Sequence, residues 1–185
     1  KKAQFELAKR TFWGYRAFKK AITEEENQFA RIHAIWGIGQ IAADNNDKAE
    51  PLVPLLDDAD DEIIAQTLKV LGDIKYKDAA SKYVRLLDHE NARVKFFAAQ
   101  ALGRIGYSES VGPLLEMIAE NKSEDLYLRH AGVLALSRIG ETETILNLAD
   151  NEDKHLRIAA VLVLRRLQHP DIAKFLSDKD EFIAT

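Results

Sequence analysis

The sequence predicts an all-α, right-handed solenoid of about five to six helical hairpins, and three observations predict it. Five stretches, ARIHAIWGIGQIA, IIAQTLKVLGDIK, VKFFAAQALGRIG, LRHAGVLALSRIG and LRIAAVLVLRRLQ, align without gaps, and self-similarity at a period of about 28–34 residues marks a stacked repeat architecture. Each stretch carries apolar residues at helical spacing, as in Val94, Ala98, Ala101, Leu102 and Ile105, which puts them on one side of a helix. Period-2 alternation of β-branched residues, the pattern of a half-buried strand, does not occur.

The elements follow in order. The residue after the shared Leu or Ile marks each long helix: Gly39, Gly72, Gly103, Ser137 and Arg165, with an earlier marker at Ala8 in AQFELAKR. The N-terminal KKAQFELAKR is therefore the first marker helix. The next starts near Asn27 to Arg31. Thr23-Glu-Glu-Glu26 has the pattern of a capping box, and Asp60-Asp61-Glu62 stands where acids favour a helix dipole. Between the long helices lie shorter amphipathic segments, EPLVPLLDD, DAASKYVRLLD, GPLLEMIAE, TETILNLAD and PDIAKFLSD, so each unit is a hairpin of a short and a long helix. Asp57, Asp88 and Asp150 stand the same distance before their markers, while Glu116 lies farther from Ser137, which gives the fourth hairpin a longer connection near ENKSED. A small marker lets consecutive helices approach closely. On helix propensity alone, Gly103→Ala would stabilise the fold.

KKAQFELAKR has no shorter helix before it, and DEFIAT opens a further marker helix and stops. Residues 1–185 are thus expected to be one repeat domain within a longer chain, with both ends inside repeats. The composition, 46% hydrophobic and 30% charged over 185 residues, is that of a globular protein with a substantial core. A net charge of −4 argues against general attraction to nucleic acid. The absence of cysteine excludes disulfides, zinc-thiolate sites, a thiol nucleophile and covalent c-type haem attachment within this stretch. No apolar run reaches the roughly 18 residues of a membrane helix, and no signal-peptide pattern is present.

The stretch WGIGQIA holds Gly37-x-Gly39-x-x-Ala42, the pattern of a dinucleotide-binding turn, with Asp57 placed where a ribose-binding acid would stand. That pattern acts only where a strand ends and a helix begins, because its free N–H groups must reach a pyrophosphate. Here both glycines fall inside a helix. Their N–H groups are committed to backbone carbonyls.

The combination of Asp, an apolar-basic pair and AAQALGRIG resembles the short HEAT-like repeat first named from phycobilisome lyases, and the resemblance spans nearly the whole chain. The basic member of the pair is Arg31, Lys95, Arg129 and Arg157, with Ile64 departing from the pattern. The resemblance implies that these residues link along the stack to acids such as Asp57, Asp88 and Asp150. RAFKKAITEEENQFARIHAIWGIGQIAAD and AQFELAKR are further similar to the HEAT-repeat section of large bacterial envelope proteins, which also carry a sorbosone-dehydrogenase-like propeller and a haem-binding cytochrome-c-like domain. That resemblance implies a periplasmic or cell-envelope location. It transfers no catalytic or haem residue, since Cys-x-x-Cys-His does not occur here. His89-Glu90 resembles the His-Glu pairs with which HEAT-repeat deoxyhypusine hydroxylases hold two irons, but such a site needs several converging pairs. His33, His130, His155 and His169 are not followed by Glu. No metal, cofactor or catalytic residue is assigned.

On the long helices, the face turned away from the hairpin partner is unusually apolar. Ile32, Trp36, Phe96, Leu134, Ile158 and Leu162 share one helical phase on it. In such solenoids the longer helices line the concave side, which makes these residues a candidate contact strip for a protein or another domain of the same chain. The alternative is burial between repeats by superhelical twist, which periodicity does not separate from exposure. Arg104, Arg138, Arg165 and Arg166 form a basic end on the same face. The expected function is a non-catalytic interaction scaffold; the alternative is a bilin-lyase-like enzyme or subunit holding a chromophore or its carrier in the groove.

Overall fold

The computed structural model describes residues 2–184, and the regular elements among them are all helical. Helices α1 (Lys2–Lys9), α2 (Thr11–Glu24) and α3 (Gln28–Ala42) come first. A 3-10 segment (Asn46–Asp57) leads to α4 (Asp61–Asp73), and α5 (Ala80–Arg85) runs through a 3-10 turn (Leu86–Asp88) towards α6 (Ala92–Ile105). Then come α7 (Val111–Asn121), α8 (Leu126–Ile139), α9 (Thr142–Leu146) with its 3-10 extension (Asn147–Asp150), α10 (Lys154–Leu167), a 3-10 segment (Pro170–Ser177) and α11 (Glu181–Ala184). The long helices α3, α4, α6, α8 and α10 each pack on the next, α1 packs on α3, and the short members cover one side of this row. This is the predicted α-solenoid.

The short members depart from the predicted pairs of α-helices, because most are wholly or partly 3-10. Pro51 and Pro54 lie inside the segment Asn46–Asp57; each lacks an N–H and so interrupts an i−4 ladder. Apart from α2, only α7 among the described short members is an uninterrupted α-helix of several turns. It absorbs part of the longer fourth connection and ends in Lys122 and Ser123, both at positive φ.

One punctuation recurs at the start of the long helices. Asn27, Asp60, Asn91, Asp125 and Asp153 are N-caps whose side chains accept from first-turn N–H groups, at 2.8–3.1 Å. Two residues earlier, a second side chain accepts the N–H of the cap itself: Asp58 for Asp60, His89 for Asn91, Asn151 for Asp153 and Asp178 for Asp180. The capping box expected at Thr23–Glu26 is absent. Thr23 lies in the last turn of α2, its hydroxyl donating to the Lys19 and Lys20 carbonyls, and Asn27 caps α3 instead.

The marker glycines sit at helix contacts. A Cβ on Gly72 would lie 2.9 Å from Ala101 Cα, and one on Gly103 would lie 2.6 Å from Ala135 Cα. Both face backbone, which cannot turn aside as a side chain would. The gain in helix propensity is therefore overridden: Gly103→Ala is expected to lose about 1–3 kcal/mol through overpacking, and Gly103→Leu more. A urea midpoint unchanged or raised in the Ala variant would remove the close-approach argument.

Candidate functional site

The repeat loops carry an ionic frame. Arg31, one turn into α3, pairs with Asp58 in the following loop and donates from Nε to the Ile22 carbonyl. Arg157 occupies the same place in α10 and pairs with Asp178, with Nε to Oδ2 at 2.8 Å and Nη2 to Oδ1 at 3.2 Å. The acid implied by resemblance is thus displaced by one residue. Asp57 instead meets Lys82 and Arg85, and Asp88 and Asp150 are exposed. Asp58 and Asp178 hold the loop position that both accepts the cap N–H and faces the preceding long helix. Where the pattern loses its Arg, at Ile64, the corresponding loop has His89 in place of an acid.

Burial would raise the Asp58 carboxyl, but Arg31 and the Asp60 N–H more than offset it and hold it below its ordinary value. At Asp178 the hydrogen bond from Arg157 dominates over burial, with the same net direction.

The long-helix face places the candidate strip unevenly. Ile32 is 7% exposed and belongs to the core, so it is corrected from contact residue to packing residue. Helix α3 is apolar around most of its circumference, with α1, α2, α4 and the first 3-10 segment packed on it, and a helix so surrounded has no free stripe at that turn. Trp36, Phe96, Ile158 and Leu162 are half-buried against the core, and Leu134 is half-buried. Trp36 also joins a chain of polar contacts across three repeats. Its indole N–H donates to Gln66 Oε1 at 2.9 Å, Gln66 Nε2 donates to Glu62 at 2.7 Å, and Arg93 Nε donates to Glu62 at 2.7 Å. Arg93 in turn lies over the Phe97 ring. Gln66, Glu62 and Arg93 carry no mark in the helical phase of the sequence, although each of these cross-repeat contacts joins residues about one repeat period apart.

Two grooves open on this face. The first, about 740 Å³, lies where α1, α3 and α4 meet, between Phe5, Trp36, Gln40, Val70 and the Lys69–Asp73 pair. Its walls are largely apolar, and Phe5 is half exposed. The second, about 450 Å³, lies between α8 and α10 and is lined by Leu126, Arg129, His130, Leu134, Leu162, Arg165 and Arg166. The strip thus splits, with Trp36 in one groove and Leu134 and Leu162 in the other. Phe96 and Ile158 line neither of them. Partial desolvation, then the neighbouring guanidiniums of Arg104 and Arg166, push Arg138 below its ordinary value, which brings three of the four predicted arginines into one electrostatic neighbourhood.

The other motifs resolve into packing and turns. Gly37 is covered by the Phe18 ring and Gly39 by Val70, both within α3. His89 Nδ1 accepts the Asn91 N–H at 3.1 Å and its Nε2 lies 3.7 Å from Asp61, so this histidine occupies the repeat's own turn position. Among the described residues no group of three or more His, Asp or Glu is arranged to hold a metal ion, and no helix is long and apolar enough to cross a membrane. Titration with NAD or zinc is expected to leave the melting temperature unchanged, since a ligand specific to the folded state raises it by mass action. A one-to-one stabilisation by NAD would overturn the packing role of Gly37 and Gly39.

Comparison with known proteins agrees with this architecture. A family model described as HEAT repeats matches residues 49–137. No curated protein matches the chain by sequence. Among solved structures, the complex of CpcE and CpcF of phycocyanin lyase from Nostoc sp. PCC7120 contains a chain that is similar with a TM-score of 0.66 at 17% identity, the match covering 90% of this chain and 71% of that one. A designed armadillo repeat protein in complex with the peptide (KR)4 is similar with a TM-score of 0.53 at 19% identity, covering 90% of this chain and 93% of that one. An engineered protein gives a TM-score of 0.55 at 19% identity, covering 84% and 79%. At these identities the likeness is one of fold.

Proposed function

We propose that this chain is a non-catalytic interaction module whose long-helix face receives a protein segment or a neighbouring domain of the same polypeptide. One observation carries the reading: two grooves open on a single face and are built from side chains of successive repeats, the arrangement by which solenoids present an extended binding surface. A designed repeat protein of similar fold is complexed with a peptide, and this supports a peptide-like occupant. Trp36 would act as an aromatic anchor in the first groove, where truncation of such a residue typically costs about 1–4 kcal/mol of binding.

A random display library tests this without an identified partner. Peptides recovered from it are expected to shift the NMR signals of α3, α4, α8 and α10, and Leu162→Ala is expected to weaken those that contact the second groove. Shifts confined to the short-helix side would sink the proposal. The bilin-lyase-like alternative is checked by a visible-absorbance titration with a bilin. A saturable spectral change that Phe5→Ala abolishes would reassign the first groove to a chromophore.

A further inference from the structure

We propose that the C-terminal half of the long-helix face binds an acidic peptide segment, its carboxylates held by Arg129, Arg138 and Arg166 and its apolar side chains set against Leu134 and Leu162. This rests on the interaction-module reading and adds the chemistry of the partner.

The charge along this face is uneven. At its N-terminal end, Lys69 and Arg104 share one carboxylate, Asp73, at 2.9 and 3.2 Å, and Arg104 also donates to Gln100. At that end both cations already have acceptors in the fold. Beyond it the cations continue through Arg129, Arg138, Arg165 and Arg166, and among the described residues none of these is joined to a carboxylate. They accumulate in a chain whose net charge is −4. Elsewhere in the fold, arginines turned towards a neighbouring repeat do find acids, as Arg31, Arg93 and Arg157 show.

Like charges held together repel: after partial burial, the guanidiniums of Arg104 and Arg166 also hold Arg138 below its ordinary value. An anionic ligand would relieve it. Guanidinium forks match carboxylates with two parallel hydrogen bonds, and Leu126, Leu134 and Leu162 between the arginines offer aliphatic contact. That alternation suits an extended peptide bearing both acids and apolar side chains. A nucleic acid is disfavoured: single strands stack their bases on aromatic platforms, and beside its aliphatic side chains and arginines this groove is lined by one aromatic ring, His130.

The experiment pans a random peptide display library against the full chain and against a variant carrying Arg138→Glu and Arg166→Glu, both exposed positions whose fold is checked by circular dichroism. The native chain is expected to enrich sequences rich in Asp and Glu with interspersed Leu-type residues, and the variant to favour Lys and Arg. An acidic peptide so recovered is expected to lose about tenfold or more in affinity on the double charge reversal and to weaken as salt rises. Enriched peptides without charge bias, or ones that shift only α3 and α4 signals, would overturn the acidic-partner inference while leaving the module reading intact. No enrichment from either chain would overturn both. Tighter binding of duplex DNA or RNA than of any recovered peptide, at equal salt, would overturn the inference in favour of a phosphate backbone.

Discussion

Arg157→Met is expected to lower the stability of the C-terminal repeats by about 3–5 kcal/mol, the usual cost of removing one partner of a buried ion pair. Both side chains of the Arg157–Asp178 pair are only 3% exposed, so each charge is satisfied chiefly by the other and by nearby protein groups. Arg157 Nη1 also donates to the carbonyls of Asn151 at 2.7 Å and Glu152 at 3.1 Å, and its loss removes a donor from these acceptors and from the Asp178 carboxylate, which keeps the N–H of Asp180 and the nearby charge of Lys179. The corresponding pair Arg31–Asp58 is 19% and 15% exposed, so Arg31→Met is expected to cost less. Replacing Arg157 and Asp178 together by apolar residues should recover part of the loss, since a buried pair owes much of its apparent value to the penalty of breaking it. The pH dependence has a definite sign. Asp178 titrates below its ordinary value in the folded chain, so its contribution is fully present above the ordinary carboxylate range and is lost as pH falls below about 4 towards the depressed folded value. Asp178→Asn should flatten that acid limb. An Arg157→Met variant within about 1 kcal/mol of the parent, the range of an exposed pair, would show that the pair is not structurally decisive.

Much of this arrangement is legible in the sequence because repeats supply internal controls. The gapless rows locate the long helices, and the recurrence of Gly39, Gly72 and Gly103 at one phase identifies the close-approach positions whose neighbours are Val70, Ala101 and Ala135. What periodicity misses are features that depend on which neighbour closes over a residue. It gives Ile32 and Trp36 the same phase, yet the first is core and the second lines a groove. It places the acids one residue too early, at Asp57 in place of Asp58, because the rows align on helix phase and the working position belongs to the loop. Its signal is present in the alternation Asp58-x-Asp60, His89-x-Asn91, Asn151-x-Asp153 and Asp178-x-Asp180. The glutamates of Thr23–Glu26 suggest a cap, but the helix runs on to Glu24 and the stronger Asn cap lies at position 27.

Leu102→Ala, Trp36→Ala and Phe96→Ala, compared by thermal melting, are expected to separate core from face. Leu102 is fully buried in α6, which packs between α4 and α8, and its truncation should cost about 2–5 kcal/mol through lost transfer energy and the cavity left behind. Phe96 is half-buried, against the core and edge-on to Phe97 with ring centroids 5.2 Å apart; part of its ring already faces water and no hydrogen bond depends on it, so its loss should be the smallest of the three. Trp36 falls between. Its ring covers part of the first groove, but its indole N–H also satisfies Gln66 Oε1 at 2.9 Å, and Gln66 is buried. Truncation strips that acceptor of its donor, which adds roughly 1–3 kcal/mol of desolvation penalty to the lost contacts. The order Leu102, Trp36, Phe96 therefore follows from burial and hydrogen bonding together. If all three variants lost stability equally, the half-buried side chains would be inter-repeat core like Leu102, and the long-helix face would lose its standing as a binding surface.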